Sequence, residues 1–241
     1  MLNIFWKEIS EYLSSLIAYV VIGVFLTAIG LLMWVFPETN VLDYGYADMH
    51  TLFSMSPFVL MFLIPAITMK MFAEELKTGS FEILSVKPVS VYAIVLGKYL
   101  AGWAISVIAI LPTAVYFLSL YQLANPVGNI DIAGVAGSYI GLVLLSSVFT
   151  ALGLLASSIT KNQVISFVMA SFLSFILFTG INSLANINVW SSISPILGSL
   201  SIEQHYNAMS RGVLDSRDII YLLSVNIILL FFTSLNLKRL K

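Results

Sequence analysis

The feature that most restricts this chain is the spacing of its charges, which leaves the uncharged stretches 12–37, 49–69, 99–130, 132–160, 162–202 and 219–237. Each stretch can cross a bilayer, because roughly 20 apolar residues at ~1.5 Å rise span ~30 Å of hydrocarbon. A soluble domain carries about 25% charged residues. This chain carries 10%, against 59% hydrophobic, too little polar surface for a water-facing sphere. Gln122, Asn125, Pro126 and Gly128 end one long run, and Asn182, Asn186, Asn188 and Pro195 break another. The fold is therefore read as an all-α polytopic membrane protein, residues 1–241 forming one transmembrane domain. Six spans are expected near 15–36, 51–69, 98–121, 134–158, 164–185 and 218–237.

Charge also sets orientation and excludes classes of partner. With six spans both termini share a side, and that side collects Lys7, Lys70, Lys77, Lys87, Lys98, Lys161, Lys238, Arg239 and Lys241, leaving Arg211 and Arg217 opposite. The positive-inside rule then places both termini in the cytoplasm, as in a multi-pass protein of a bacterial inner membrane. A net charge of −1 excludes nucleic-acid binding by phosphate neutralisation. The absence of cysteine excludes disulfides, thiolate metal clusters and a cysteine nucleophile.

Three segments between spans carry pattern. Residues 1–14 place Leu2, Phe5, Trp6, Ile9, Tyr12 and Leu13 on one helical face, with Lys7, Glu8 and Glu11 opposite, which predicts an interfacial amphipathic helix; an irregular charged tail is the plainer alternative. Segment 70–98 is the most charged. Helix is expected to Lys77, a stop at Gly79, a short helix begun by Thr78 or Ser80, a break at Pro88 and a cap at Ser90. A solvated loop is the competing reading. In 186–217, Ser201-Ile-Glu-Gln204 has capping-box spacing. A short, partly buried or re-entrant outer helix is expected there, with Leu200, His205, Tyr206 and Met209 on one face. Asp215 or Ser216 would cap the last span.

Several chemistries lack residues. No Lys, Arg, Asp, Glu or His falls inside an expected span beyond the boundary residues Lys98 and Asp218, which disfavours ion-coupled transport and proton pumping. No G-x-x-x-x-G-K-[ST] is present, so the chain does not hydrolyse ATP through a P-loop. His50 beside Met49, and His205 four residues before Met209, match surface residues better than a soft-metal site, and no metal is expected. No catalytic residue and no resident cofactor is expected either. Gly137 and Gly141, and Ser166, Ala170 and Ser174, mark close helix packing, within the subunit or across a dimer. Pro57, Pro65 and Pro112 are expected to kink spans two and three.

Ala73-Glu74-Glu75-Leu-Lys77-Thr78-Gly79-Ser80-Phe-Glu82-Ile-Leu84, then Pro88-Val89-Ser90 and Val95-Leu96-Gly97-Lys98-Tyr99, resemble the ABC-2 type transporter permeases. Residues 201–221 are similar to the gliding-motility-associated (GldF-type) branch and its relatives from nitrous-oxide-reductase copper-cluster systems. The resemblance implies a non-catalytic permease subunit in the lipid bilayer, paired with a second permease copy and an ABC ATPase subunit that holds the ATP and Mg. It also implies that the stretch between spans two and three is a cytoplasmic coupling helix, with Glu74, Glu75, Thr78, Gly79, Glu82 and Pro88 setting the ATPase contact. Leu76 stands where many relatives carry arginine. Two other classes fit the composition: a secondary transporter or channel, and a structural membrane anchor of a motility or secretion complex.

Overall fold

A computed structural model describes residues 1–45, 47–82, 89–185 and 194–239. Helix accounts for the architecture, and no strand occurs among the described residues. Helix α1 (Leu2–Leu13) leads into α2 (Leu16–Trp34). Next come α3 (His50–Thr78) and α4 (Val91–Ile110), which continues through the 3-10 turn Leu111–Thr113 into α5 (Ala114–Leu123). Helix α6 (Ile132–Ile159) is followed by α7 (Gln163–Phe175), a π turn Ile176–Gly180 and α8 (Ile181–Ala185). Two short helices, α9 (Ser194–Ser199) and α10 (Ile202–Met209), precede α11 (Ser216–Lys238).

Six of these helical stretches are long and apolar enough to cross a membrane: Leu16–Trp34, His50–Thr78, Val91–Leu123, Ile132–Ile159, Gln163–Ala185 and Ser216–Lys238. Polar caps start most of them. The side chains of Ser15, Ser90, Asp131, Asn162 and Asp215 each accept a backbone N–H from the first turn that follows. Helix α3 runs through both Pro57 and Pro65 without a break. Pro112 falls in the 3-10 turn between α4 and α5.

Helix α6 is the axis of the bundle. It is 78% buried over its most apolar window and touches α3, α4, α7, α10 and α11. Small residues allow that approach. A Cβ on Gly141 would meet the Met209 Cβ at 2.8 Å, and one on Gly137 would meet the Gly212 carbonyl oxygen at 3.0 Å. Ser166, Ala170 and Ser174 form the buried stripe of α7, which packs on α3 and α6. Both sets therefore make contacts inside this chain. Polar stitches add to them: Asn226 donates to the Ser147 hydroxyl at 2.8 Å and Asn236 to the Ser158 carbonyl at 2.7 Å, joining α11 to α6.

The outer end departs from expectation in two details. Ser201 sits at the N-cap of α10, but its hydroxyl is buried without a hydrogen-bond partner, so the capping box is not made. Burial against the bundle has taken that side chain away from the helix start. The inward face of α10 is Ile202, Tyr206 and Met209, while Leu200 is exposed. Tyr206 reaches across to donate to the Phe53 carbonyl at 2.6 Å, and Phe178 of the π turn packs against its ring. His205 instead turns to α11, with Nδ1 2.6 Å from Asp218 Oδ1 and its ring stacked on Tyr221 at 4.0 Å. Of the outer segment 186–217 read as partly buried or re-entrant, residues 186–193 lie outside the described residues.

Candidate functional site: a buried lysine between two carboxylates

Helix α3 outruns the bilayer. Its 29 residues reach ~43 Å at ~1.5 Å each, so about two turns extend beyond ~30 Å of hydrocarbon. Those turns carry Lys70, Glu74, Glu75 and Lys77. Gly79 ends the helix at φ +73°, a left-handed conformation open to glycine because it has no Cβ to clash. Thr78 Oγ1 donates to the Glu74 carbonyl at 2.9 Å and lies 2.9 Å from the Ser80 hydroxyl. Residues 80–82 resume as helix. Phe81, 2% exposed, meets the Phe72 ring edge-on at 6.3 Å and pins the turn to the bundle.

Lys98 lies two turns inside α4 rather than on a loop, and its side chain is 1% exposed. Its ammonium donates to Glu8 Oε1 at 2.8 Å, to Glu75 Oε1 at 2.9 Å and to the Met71 carbonyl at 2.8 Å. All three of its N–H donors are thereby used. The face of Phe72, 5.3 Å away, adds a cation–π contact. Three helices thus meet at one nitrogen: α1 through Glu8, α3 through Glu75 and Met71, and α4 through Lys98 itself.

Glycine makes the meeting possible. A Cβ on Gly97 would come within 3.1 Å of the Ile4 side chain and 3.2 Å of the Met1 carbonyl, so α1 rests directly on the α4 backbone. Outside the cluster, Lys7 lies 3.5 Å from Glu8, 3.7 Å from Glu75 and 3.6 Å from Glu11. Burial lowers the Lys7 pKa, but the carboxylates of Glu8, Glu75 and Glu11 outweigh it and hold the ammonium above its ordinary value of 10.5. Lys7 and Lys98 together balance Glu8 and Glu75, which is what lets the charges stay buried.

This arrangement corrects the expected polarity of α1. Glu8 was assigned to the water-facing side, yet it is 8% exposed and faces the bundle with Tyr12. The helix has three faces rather than two. Leu2 and Trp6 point outward, Glu8 and Tyr12 inward, and Lys7, Ser10 and Glu11 to water. A buried ammonium on α4 is the physical reason, because it needs a carboxylate within reach.

Residues 9–235 match the family model described as ABC-2 family transporter protein. The chain belongs to that family. A comparison with curated proteins returns no match. As an ABC-2 protein it is a transmembrane permease of an ABC transporter, from a family whose ATP hydrolysis resides on a partner chain.

Within this ABC-2 permease the six residues singled out around the span-two turn separate. Glu74, Thr78 and Glu82 are exposed, Gly79 forms the turn, and Glu75 is engaged inward with Lys98. Pro88 lies outside the described residues. Glu8, Tyr12 and Lys98 are not among those six. The available signal was Gly97-Lys98 opening an apolar run, with Glu8 and Tyr12 one turn apart on a helix that must lie nearby. Among the described residues, no group of three or more His, Cys, Asp or Glu is placed to hold a metal. The two ring nitrogens of His205 are taken by Asp218 and the Ser199 carbonyl.

Proposed function

We propose that this permease is driven through its α3 turn by a separate ATPase subunit that binds ATP and Mg. In this reading both termini and the turn lie in the cytoplasm of a bacterial inner membrane. Two permease copies and two ATPase subunits form the working unit, and the transport direction is export. One observation carries the reading: α3 continues as a single helix from the bilayer core to Thr78, so force applied on its last turns, at 74–78, reaches the span without a flexible joint. Glu74, Thr78 and Glu82 offer the exposed contact, and Gly79 sets its shape. Glu75 would transmit movement of α3 to Lys98, and through it to α1. Closure of the ATPase subunits on nucleotide then rocks span two against its neighbours, a rigid-body change biased by ligand. The resemblance of residues 201–221 to gliding-motility permeases favours service in that process.

The test is purification with the ATPase subunit, followed by reconstitution of Glu74→Ala and Gly79→Ala. Both variants are expected to insert and assemble while losing transport per ATP hydrolysed. Full coupling in both would remove the turn from the mechanism.

A further inference from the structure

Beside the Lys98 cluster lies an open-sided cavity of about 200 Å³, lined by α1, the last turns of α3, Ser80 and Lys98. Lys98, Glu8 and one oxygen of Glu75 satisfy one another. What remains is specific. Tyr12 lines the cavity and is 2% exposed, and its hydroxyl is buried with no partner. Glu75 Oε2 is also buried and unpartnered. Lys70 lines the cavity with only the Tyr12 ring, 5.3 Å away, as its partner among the described residues. Glu74 adds a carboxylate at the opening.

These groups ask for two kinds of atom at once. The Tyr12 hydroxyl and the Lys70 ammonium can donate to an anionic oxygen, while Glu75 Oε2 and Glu74 need an N–H donor. A simple anion would confront the carboxylates, and a simple cation would confront the lysines. From this geometry we infer that the cavity binds a zwitterion bearing a phosphate and a primary ammonium, the headgroup of an aminophospholipid. A quaternary ammonium has no N–H for the buried Glu75 oxygen, so choline is the poorer fit. The lipid source follows from α1, which walls the cavity while turning Leu2 (69% exposed) and Trp6 (64% exposed) outward, where acyl chains would lie. The ligand would join α1 to α3 at the same level as Lys98.

The test titrates the detergent-purified full chain with phosphatidylethanolamine, phosphatidylcholine and phosphatidylglycerol of equal acyl chains, reading thermal unfolding and bound lipid by native mass spectrometry. Phosphatidylethanolamine is expected to bind saturably, about tenfold tighter than either of the others, the scale of one hydrogen bond to a charged group. Tyr12→Phe and Lys70→Gln should each weaken it about tenfold with lipid-free unfolding unchanged. If Tyr12→Phe shifts lipid-free unfolding, Lys70→Gln decides. Equal response to the three lipids, or unaltered phosphatidylethanolamine binding in the variants, would overturn the site. Competition by water-soluble phosphoethanolamine as strong as by the lipid would overturn the lipid source.

Discussion

Replacing Lys98 by methionine keeps the methylene stem and removes the ammonium. Glu8 Oε1 and Glu75 Oε1, which lie 2.8 and 2.9 Å from Nζ, would then face each other with only the exposed, more distant Lys7 as counter-charge, and the Met71 carbonyl would lose its donor. The side chains are 1% exposed for Lys98, 9% for Glu8 and 16% for Glu75, so water does little to screen the pair. Breaking a buried ion pair by removing one partner costs about 3–5 kcal/mol. Lys7→Met is the matched control, because Lys7 meets the same carboxylates at 3.5 and 3.7 Å from a 60% exposed position. Exposed pairs are worth below about 1 kcal/mol. The expected order is therefore Lys98→Met far below Lys7→Met, read as denaturant or thermal unfolding of the purified protein in detergent. Adding Glu8→Gln and Glu75→Gln to Lys98→Met should recover part of the loss, since the uncompensated charges are gone. If Lys98→Met unfolds within about 1 kcal/mol of Lys7→Met, the cluster does not hold the helices together as argued.

Three further outcomes follow from other contacts. Gly137→Ala drives a methyl toward the Gly212 backbone at 3.0 Å and should cost ~1–3 kcal/mol in unfolding, whereas Gly23→Ala, with nothing within 4 Å of its Cβ, should stay within ~1 kcal/mol of the parent. Tyr206→Phe removes the donor to the Phe53 carbonyl in a fully buried setting and should cost ~1–3 kcal/mol by the same measurement. Burial pushes the Tyr12 and Tyr206 phenols above their ordinary value of 10.0, so their contribution is fully present below that pH and is lost as pH rises past it. Unfolding free energy should accordingly fall on the alkaline side of pH 10.0, and Tyr12→Phe should make the fall shallower.

Sequence and structure agree best where one physical requirement dominates. A bilayer demands ~20 apolar residues, so the six helices could be placed from charge spacing and the polar breaks in the two longest runs. Gly79, Ser90 and Asp215 were legible because caps and left-handed turns depend on residues next to one another in the chain. The Lys98 cluster was less legible. It joins residues 90 and 23 positions apart, and periodicity reports which residues share a face without saying which face meets another helix. Glu8 shows this: charge alone put it in water, and a lysine on a distant helix drew it inward. Ser201 shows the converse, with capping-box spacing overridden by burial. The π turn at Ile176–Gly180 contains no proline, and its Phe178 lies among Phe58, Phe149 and Tyr206. Those aromatic contacts are tertiary, so no local pattern announces the turn.

The α3 turn and the Lys98 cluster are expected to face the compartment that holds the ATPase. The chain has no cysteine, so Thr78→Cys and Arg211→Cys each introduce a single thiol, one on the turn and one at the opposite end of the bundle. A membrane-impermeant maleimide should label Arg211→Cys in intact cells and Thr78→Cys only after lysis. Labelling of Thr78→Cys in intact cells would contradict the account.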